Sequence, residues 1–257
     1  MEEFYFTDIV GGWKLFYSPV CRSTQNLALI CAAQTDCNPP FVLYTYDQRK
    51  GRGQGGNTWN SQPGNNIALS LVSPVPHPDE SVLLNKAIAL AARSAIEEIS
   101  GLEVFIKWPN DLIVRNRKVG GLLMEVSQIA EGKRWLCTGL GINVNQTRWE
   151  DLPNASSLKR FTGNDYALLD VLKIVVRHFQ QKLDTFGWEQ KTRIEQEFLN
   201  ALWKLNKEVT ALLPNGSEFM AILRGVDQFG RVILEAPDGS ESTWHHGQIR
   251  LILKNIF

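Results

Sequence analysis

Nine residues near position 50 limit what this chain can fold into more than any other segment: Gly51-Arg52-Gly53-Gln54-Gly55-Gly56-Asn57-Thr58-Trp59. Four glycines in that window disfavour a helix or a regular strand, because each loses the most backbone freedom on ordering and has no side chain to pack. The segment lies between two runs of strand character, Phe41 to Tyr46 and Ile67 to Val72, with no helical pattern after it. It therefore neither ends in the Gly-Lys-Ser/Thr of a phosphate loop nor opens a helix as a dinucleotide fold requires. What remains is a strand–loop–strand lid. Its free N–H groups would form a concave anion site, and Arg49, Lys50 and Arg52 against Asp47 leave a local charge of +2. A simple glycine-rich turn is the competing reading for this loop taken alone.

Lysine plus arginine total 27 and aspartate plus glutamate total 27, so the net charge is zero. That balance argues against broad electrostatic binding to nucleic acid while allowing a local basic pocket. The N-terminus is acidic without a signal pattern, and no apolar run reaches membrane-spanning length, so a cytoplasmic protein with no membrane partner is expected. Cys21, Cys31, Cys37 and Cys137 show no Cys-x-x-Cys spacing and read as reduced, mostly buried thiols. No metal site is expected. Adjacent His245 and His246 would point to opposite faces of a strand and chelate poorly.

Periodicity predicts a strand over Trp13 to Tyr17 and a helix after Ser23-Thr24-Gln25. Pro74, Pro76 and Pro78 mark an irregular connection before a long apolar helix opened by Ser81 and stopped by Gly101. A strand from Val104, interrupted by Trp108-Pro109-Asn110, turns at Asn116-Arg117 and returns from Lys118 to Val126. Trp135 to Val144 is a further strand, a candidate edge for pairing with a second copy in a possible homodimer. Its internal Gly139 and Gly141 suggest close approach by backbone or ligand. Two amphipathic helices follow over 166–186 and 189–203. Beyond Leu205, short β runs divided at Asn215-Gly216, Phe229-Gly230 and Asp238-Gly239 have the spacing of a small antiparallel barrel.

Four segments could carry chemistry: Ser23-Thr24-Gln25, the loop at 48–59, Lys107-Trp108-Pro109-Asn110-Asp111, and Lys118-Val119-Gly120-Gly121 followed by Glu125. Each has a plain structural reading. Ser23 and Thr24 could cap a helix, Pro109-Asn110 could be an ordinary turn, Lys118 a solvated lysine, and Gly120-Gly121 a bulge.

Together, in this order and spacing, they resemble the biotin–protein ligases. That family's pattern is a Gly-Arg-Gly-Arg-x-Gly-Arg-x-Trp loop, then Lys-Trp-Pro-Asn-Asp, then a lysine seven residues on with Gly-Ile/Leu-Leu and a glutamate. A Gly-x-Gly-Ile-Asn strand follows, here Gly139 to Asn143. The resemblance extends to the C-terminal Trp244 and Gly247-Gln248-Ile249, and so covers nearly the whole chain.

The resemblance implies an α+β fold: a mixed, mostly antiparallel sheet with helices packed on it, like the catalytic domains of biotin ligases and class II aminoacyl-tRNA synthetases. A catalytic domain over 1–204 would precede an SH3-like β-barrel over 205–257. It implies activation of biotin by ATP, with Mg²⁺, to biotinyl-5′-adenylate. Transfer to a lysine of a biotin carboxyl carrier protein, as in acetyl-CoA carboxylase, would follow.

Arg52, Lys118 and Asp111 are the catalytic candidates. Biotin would contact Ser23, Thr24, Gln25, Gln48, Arg52, Gly53, Gln54, Lys118, Gly120 and Gly121. The nucleotide would contact Arg52, Trp59, Lys107, Asn110, Asp111, Lys118 and Asn143.

Two departures stand out. Gln54 and Asn57 replace the family's second and third loop arginines, which predicts weaker retention of the adenylate unless Arg49 or Lys50 compensates. Many relatives also carry an N-terminal DNA-binding winged helix. Only 22 residues precede Ser23, so no repressor role and no nucleic-acid partner are expected. A lipoate or octanoyl ligase, and a sensing module without turnover, are the alternatives. The glycine-rich lid is expected to order only around ligand.

Overall fold

The computed structural model describes residues 2–33, 37, 39–74, 81–128, 134–150 and 152–253. The connection at Pro76 and Pro78 lies outside them. A hairpin of β1 (Tyr5–Val10) and β2 (Trp13–Tyr17) opens the chain, followed by α1 (Thr24–Ala32) and β3 (Phe41–Thr45). The glycine loop holds a minimal antiparallel pair, β4 (Gly51–Arg52) and β5 (Thr58–Trp59). β6 (Ile67–Pro74), α2 (Ser81–Ser100), β7 (Phe105–Lys107), β8 (Asp111–Val114), β9 (Arg117–Gln128) and β10 (Arg134–Ile142) complete the central layer. Then come α3 (Leu158–Thr162), α4 (Leu168–Asp184) and α5 (Lys191–Ala201), before five short strands: β11 (Glu208–Leu212), β12 (Glu218–Val226), β13 (Val232–Glu235), β14 (Glu241–Trp244) and β15 (Arg250–Leu251).

Eight strands form one sheet in the order β1-β2-β3-β6-β10-β9-β8-β7, antiparallel except where β2 runs parallel to β3. The alternation of side chains along a strand assigns the two faces. In β3, Val42 and Tyr44 face the main core with α2 and α4, while Phe41 and Leu43 face α1 with Leu27, Ala28 and Cys137. Gly101, at φ +67°, ends α2 by donating its N–H to the Glu97 carbonyl at 2.8 Å.

Register across the α1 side of the sheet decides where a ligand could sit. Ala68 pairs with Gly141, Gly141 with Gly121, and Gly121 with Asp111; two pairs further along, Ser70 opposes Gly139. Small residues side by side on neighbouring strands leave a trough in an otherwise filled face.

Several expectations change. The residues 104–114 form a hairpin, β7 against β8, rather than one interrupted strand: Trp108-Pro109-Asn110 is its turn, and Lys107 faces Asp111 across it. The strand at Trp135–Val144 is not a sheet edge, because β10 pairs with β6 on one side and β9 on the other, so it offers no edge to a second copy. The edges are β1, which the sequence reading passed over, and β7. Cys31 and Cys37 are not free thiols but a disulfide, their Cα atoms 5.7 Å apart. Cys21 and Cys137 are free and buried, each thiol pushed up to about 12 by loss of water.

The C-terminal strands form a sheet in the order β14-β13-β12-β11-β15, open between β14 and β15 rather than closed. Its core is not self-contained. Trp108, Ile113 and Trp203 pack among Val209, Leu223, Val232 and Leu234, and the Trp108 indole donates to the Gly230 carbonyl at 2.9 Å. No helix among the described residues is long and apolar enough to cross a membrane.

Candidate active site

A cavity of about 710 Å³ occupies the sheet's trough, roofed by the glycine loop and closed at one end by the C-terminal sheet. Trp59 explains why the strand glycines are needed. Its indole lies so close over β10 that a Cβ on Gly141 would fall 2.3 Å from the ring. A Cβ on Gly139 would fall 2.7 Å from Gln25 Oε1. The lid is thus seated by a tryptophan on bare backbone, as the internal glycines suggested.

One end of the trough is polar, and its two charges, Glu125 and Arg52, are paired with each other, so it is neutral overall. Gln25 Nε2 donates to the Cys137 carbonyl at 2.9 Å and to Glu125 Oε2 at 3.1 Å, while Ser70 Oγ donates to Gln25 Oε1 and Thr24 Oγ1. Gln48 Oε1 accepts from the Thr24 backbone N–H at 2.8 Å. Ser23 sits at the N-cap of α1, yet its hydroxyl makes no capping bond and is a buried oxygen without a partner among the described residues. Gln54 Oε1 and Trp59 Nε1 are in the same condition, and all three residues line the cavity. Buried polar atoms are rarely left unpaired, so their clustering in one trough marks a place built for polar ligand atoms.

The other end is charged. Lys118 Nζ lies 2.5 Å from Asp111 Oδ1, and Lys107 Nζ lies 3.3 Å from Asp111 Oδ2. Burial pushes the Asp111 carboxyl up, but the two ammonium groups outweigh it and hold it below the ordinary carboxylate value. Burial also pulls Lys107 down, against the pull of Asp111. Two cations share one carboxylate, so the cluster keeps a surplus of positive charge. Lys118 also stands 5.5 Å from the Trp59 ring centroid, which couples lid to cation. Arg52 is held by a fork to Glu125, NH2 to Oε1 at 2.6 Å and NH1 to Oε2 at 3.1 Å, and by Asn26 at 3.0 Å.

Of the residues singled out from sequence, Ser23, Thr24, Gln25, Gln48, Arg52, Gly53, Gln54, Trp59, Lys107, Asn110, Asp111, Lys118 and Gly121 line the cavity. Two do not. Asn143 lies behind the wall, its amide donating to the Ser156 carbonyl at 3.0 Å and the Lys118 carbonyl at 3.4 Å. Gly120 also supports from behind, where a Cβ would meet the Gly141 carbonyl at 3.0 Å. Nor do Arg49 or Lys50 reach the cavity; Arg49 is paired with Asp47 at 2.6 Å. The sequence reading missed Asn26, which holds Arg52 from outside the lining, and the C-terminal His246 and Arg250, which lie in the lining although more than a hundred residues from the motifs.

Trough, lid and cation cluster together form one cavity with unpartnered polar atoms at one end and two lysines on one carboxylate at the other. The chain matches the biotin/lipoate A/B protein ligase family over residues 17–145, and it belongs to that family. It is 30% identical to the bifunctional ligase/repressor BirA of Bacillus spizizenii over 237 residues, which is 90% of this chain and 72% of that protein. It is 28% identical to a biotin–[acetyl-CoA-carboxylase] ligase of Paracoccus denitrificans, covering 76% and 84% of the two chains. Its fold superimposes on a biotin protein ligase from Aquifex aeolicus in complex with biotin and ATP with TM-score 0.76 and 25% identity, over 93% of this chain and 99% of that one.

Proposed function

We propose that this chain is a biotin–protein ligase that makes biotinyl-5′-adenylate from biotin and ATP and passes the biotinyl group to a carrier-protein lysine. The single observation that carries this reading is the Lys107–Asp111–Lys118 cluster set beside buried, unpartnered polar atoms under one lid. The neutral end, with Ser23, Thr24, Gln25 and Gln48, suits a ureido ring, which needs a few placed donors and acceptors in a small pocket. The charged end suits the place where a carboxylate and a triphosphate must meet despite their repulsion.

In the first step a carboxylate oxygen of biotin attacks the α-phosphorus and the bond to pyrophosphate breaks. Lys118 and Arg52 offset the charge on the carboxylate and α-phosphate, and fixed positive charge does this without reorganising as the reaction proceeds. Lys107, Asn110 and Trp59 would flank the nucleotide. In the second step the carrier lysine, as a neutral amine, attacks the acyl carbon and AMP leaves with the bridging oxygen.

Asp111 is a poor base for that amine, because two ammonium groups favour its ionised form; its work is to fix both lysines in place. Both of its oxygens are engaged, and no three His, Cys, Asp or Glu side chains converge among the described residues. In this reading magnesium enters with the nucleotide. A domain division at 204/205 separates two sheets that both line the cavity.

The test is transfer. With ATP, magnesium, biotin and a biotin carboxyl carrier domain, mass spectrometry should find one biotinyl group on one lysine of the carrier. Transfer of lipoate instead, or none from a folded protein, would reject the reading.

A further inference from the structure

His246 lies on the turn after β14, about 140 residues beyond the motifs in sequence, yet its ring enters the cavity between the lid and the Lys107–Asp111 turn. Its ring centroid is 6.2 Å from that of Trp108. A Cβ on Gly55 would lie 2.9 Å from His246 Cε1, 3.6 Å from Nε2 and 4.0 Å from Nδ1, so the nitrogen-bearing edge faces the lid. Neither ring nitrogen has a hydrogen-bond partner among the described residues. The lid carries neutral Gln54 and Asn57 on this stretch, and Arg49 and Lys50 lie away from the cavity.

We propose that His246 is a ligand-binding residue that donates a ring N–H to the phosphate chain of the bound nucleotide, supplying from the C-terminal sheet part of what the lid's neutral residues lack. The proposal rests on the reading of this cavity as an ATP site. The Trp108 indole packs beside the ring, tilted 60° to it, and the glycine at 55 lets the lid come down onto its edge. Without nucleotide the ring favours its neutral form, because partial burial and Lys107 lower its affinity for a proton more than Asp111 raises it. Arg250 is the other cation of this sheet in the cavity lining, and Arg52 and Lys118 stand further along it. A phosphate at the imidazole would favour the charged form, so the interaction should strengthen as pH falls toward the usual histidine range.

Three variants separate a donor from a packing ring. His246→Phe keeps the flat ring against Trp108 and Gly55 but has no N–H; His246→Ala loses both; His246→Arg keeps a charged donor at every pH used. ATP affinity is measured by calorimetry and KM for ATP and for biotin by pyrophosphate release, at pH 6 and pH 8. Loss of a charge-assisted hydrogen bond should raise the ATP constants roughly tenfold in both Phe and Ala variants. Biotin affinity measured without nucleotide, and the melting temperature, should not change. The native protein should bind ATP more tightly at pH 6 relative to His246→Arg than it does at pH 8. A Phe variant indistinguishable from native, equal rises in both KM values, or no recovery with arginine would overturn the assignment. A native protein that binds ATP without releasing pyrophosphate would reject the ligase reading yet leave the calorimetric test standing, and one that binds no ATP rejects both.

Discussion

Asp111 shows how much one side chain can hold in place. It sits opposite Lys107 in the β7–β8 hairpin and opposite Gly121 on the next strand, so the same register that makes the trough brings two lysines onto one carboxylate. Asp111→Asn would leave Lys107, 5% exposed, without its counter-charge. Breaking a buried pair in this way costs about 3–5 kcal/mol, so a fall in denaturant midpoint together with loss of adenylate formation is expected. The pH dependence has a definite sign. Because the folded-state pKa lies below the unfolded value near ~3.9, the carboxylate stabilises the fold above that value and loses this effect as pH falls through the folded one. Melting temperature followed from pH 5 to pH 2.5 should drop less steeply in Asp111→Asn than in the native protein.

Gln54 offers a second test at this scale. Its side-chain oxygen is buried without a partner, and an arginine there would add a charged donor beside the ligand. Charge-assisted hydrogen bonds are about twice as strong as neutral ones, so Gln54→Arg should slow adenylate dissociation several-fold in a chase experiment. Equal rates would mean that the neutral residue is no deficit.

At the level of elements, the central device is β10, whose bare backbone at Gly141 receives Trp59 of the lid. Gly141→Ala would force the indole away, since an atom cannot remain 2.3 Å from a new Cβ. Ligand affinity measured by calorimetry should fall by more than about tenfold while the melting temperature moves little, because strand and sheet tolerate alanine. A variant that binds normally would show that the lid seats elsewhere.

These two positions also mark how far the sequence could be read. Alternation and glycine placement made β10 and its approached backbone legible, and the resemblance to biotin–protein ligases pointed to Lys107, Asp111 and Lys118 as one site. The break at Trp108-Pro109-Asn110 is visible in the sequence, but nothing local tells a chain that resumes the same strand from one that folds back, as the pairing of Lys107 with Asp111 shows it does. The family resemblance places Asn143 at the nucleotide, and an asparagine on a motif strand carries no mark of which way it faces. It braces the Lys118 carbonyl instead. His246 was weighed only as a metal ligand. Nothing local connects it to the lid; only the packing of the second sheet on Trp108 does.

The whole molecule depends on that packing. The C-terminal sheet borrows Trp108, Ile113 and Trp203 for its core, and Lys86 of α2 reaches Glu195 of α5 at 2.5 Å and the Asp227 carbonyl beyond β12 at 3.3 Å. The two sheets should therefore melt together. Trp108→Ala would open a cavity between them at a cost of about 3–5 kcal/mol, and a single calorimetric transition shifted down is expected. Two separate transitions in the native protein would contradict a shared core.

The central claim is that this cavity joins biotin's carboxylate to the α-phosphate of ATP, and isotope exchange between pyrophosphate and ATP tests it without any carrier. With magnesium and ATP, label should enter ATP only when biotin is present, and Lys118→Gln should abolish the exchange in a protein that still folds. Exchange driven by lipoate, or none with biotin from the native protein, would contradict the account.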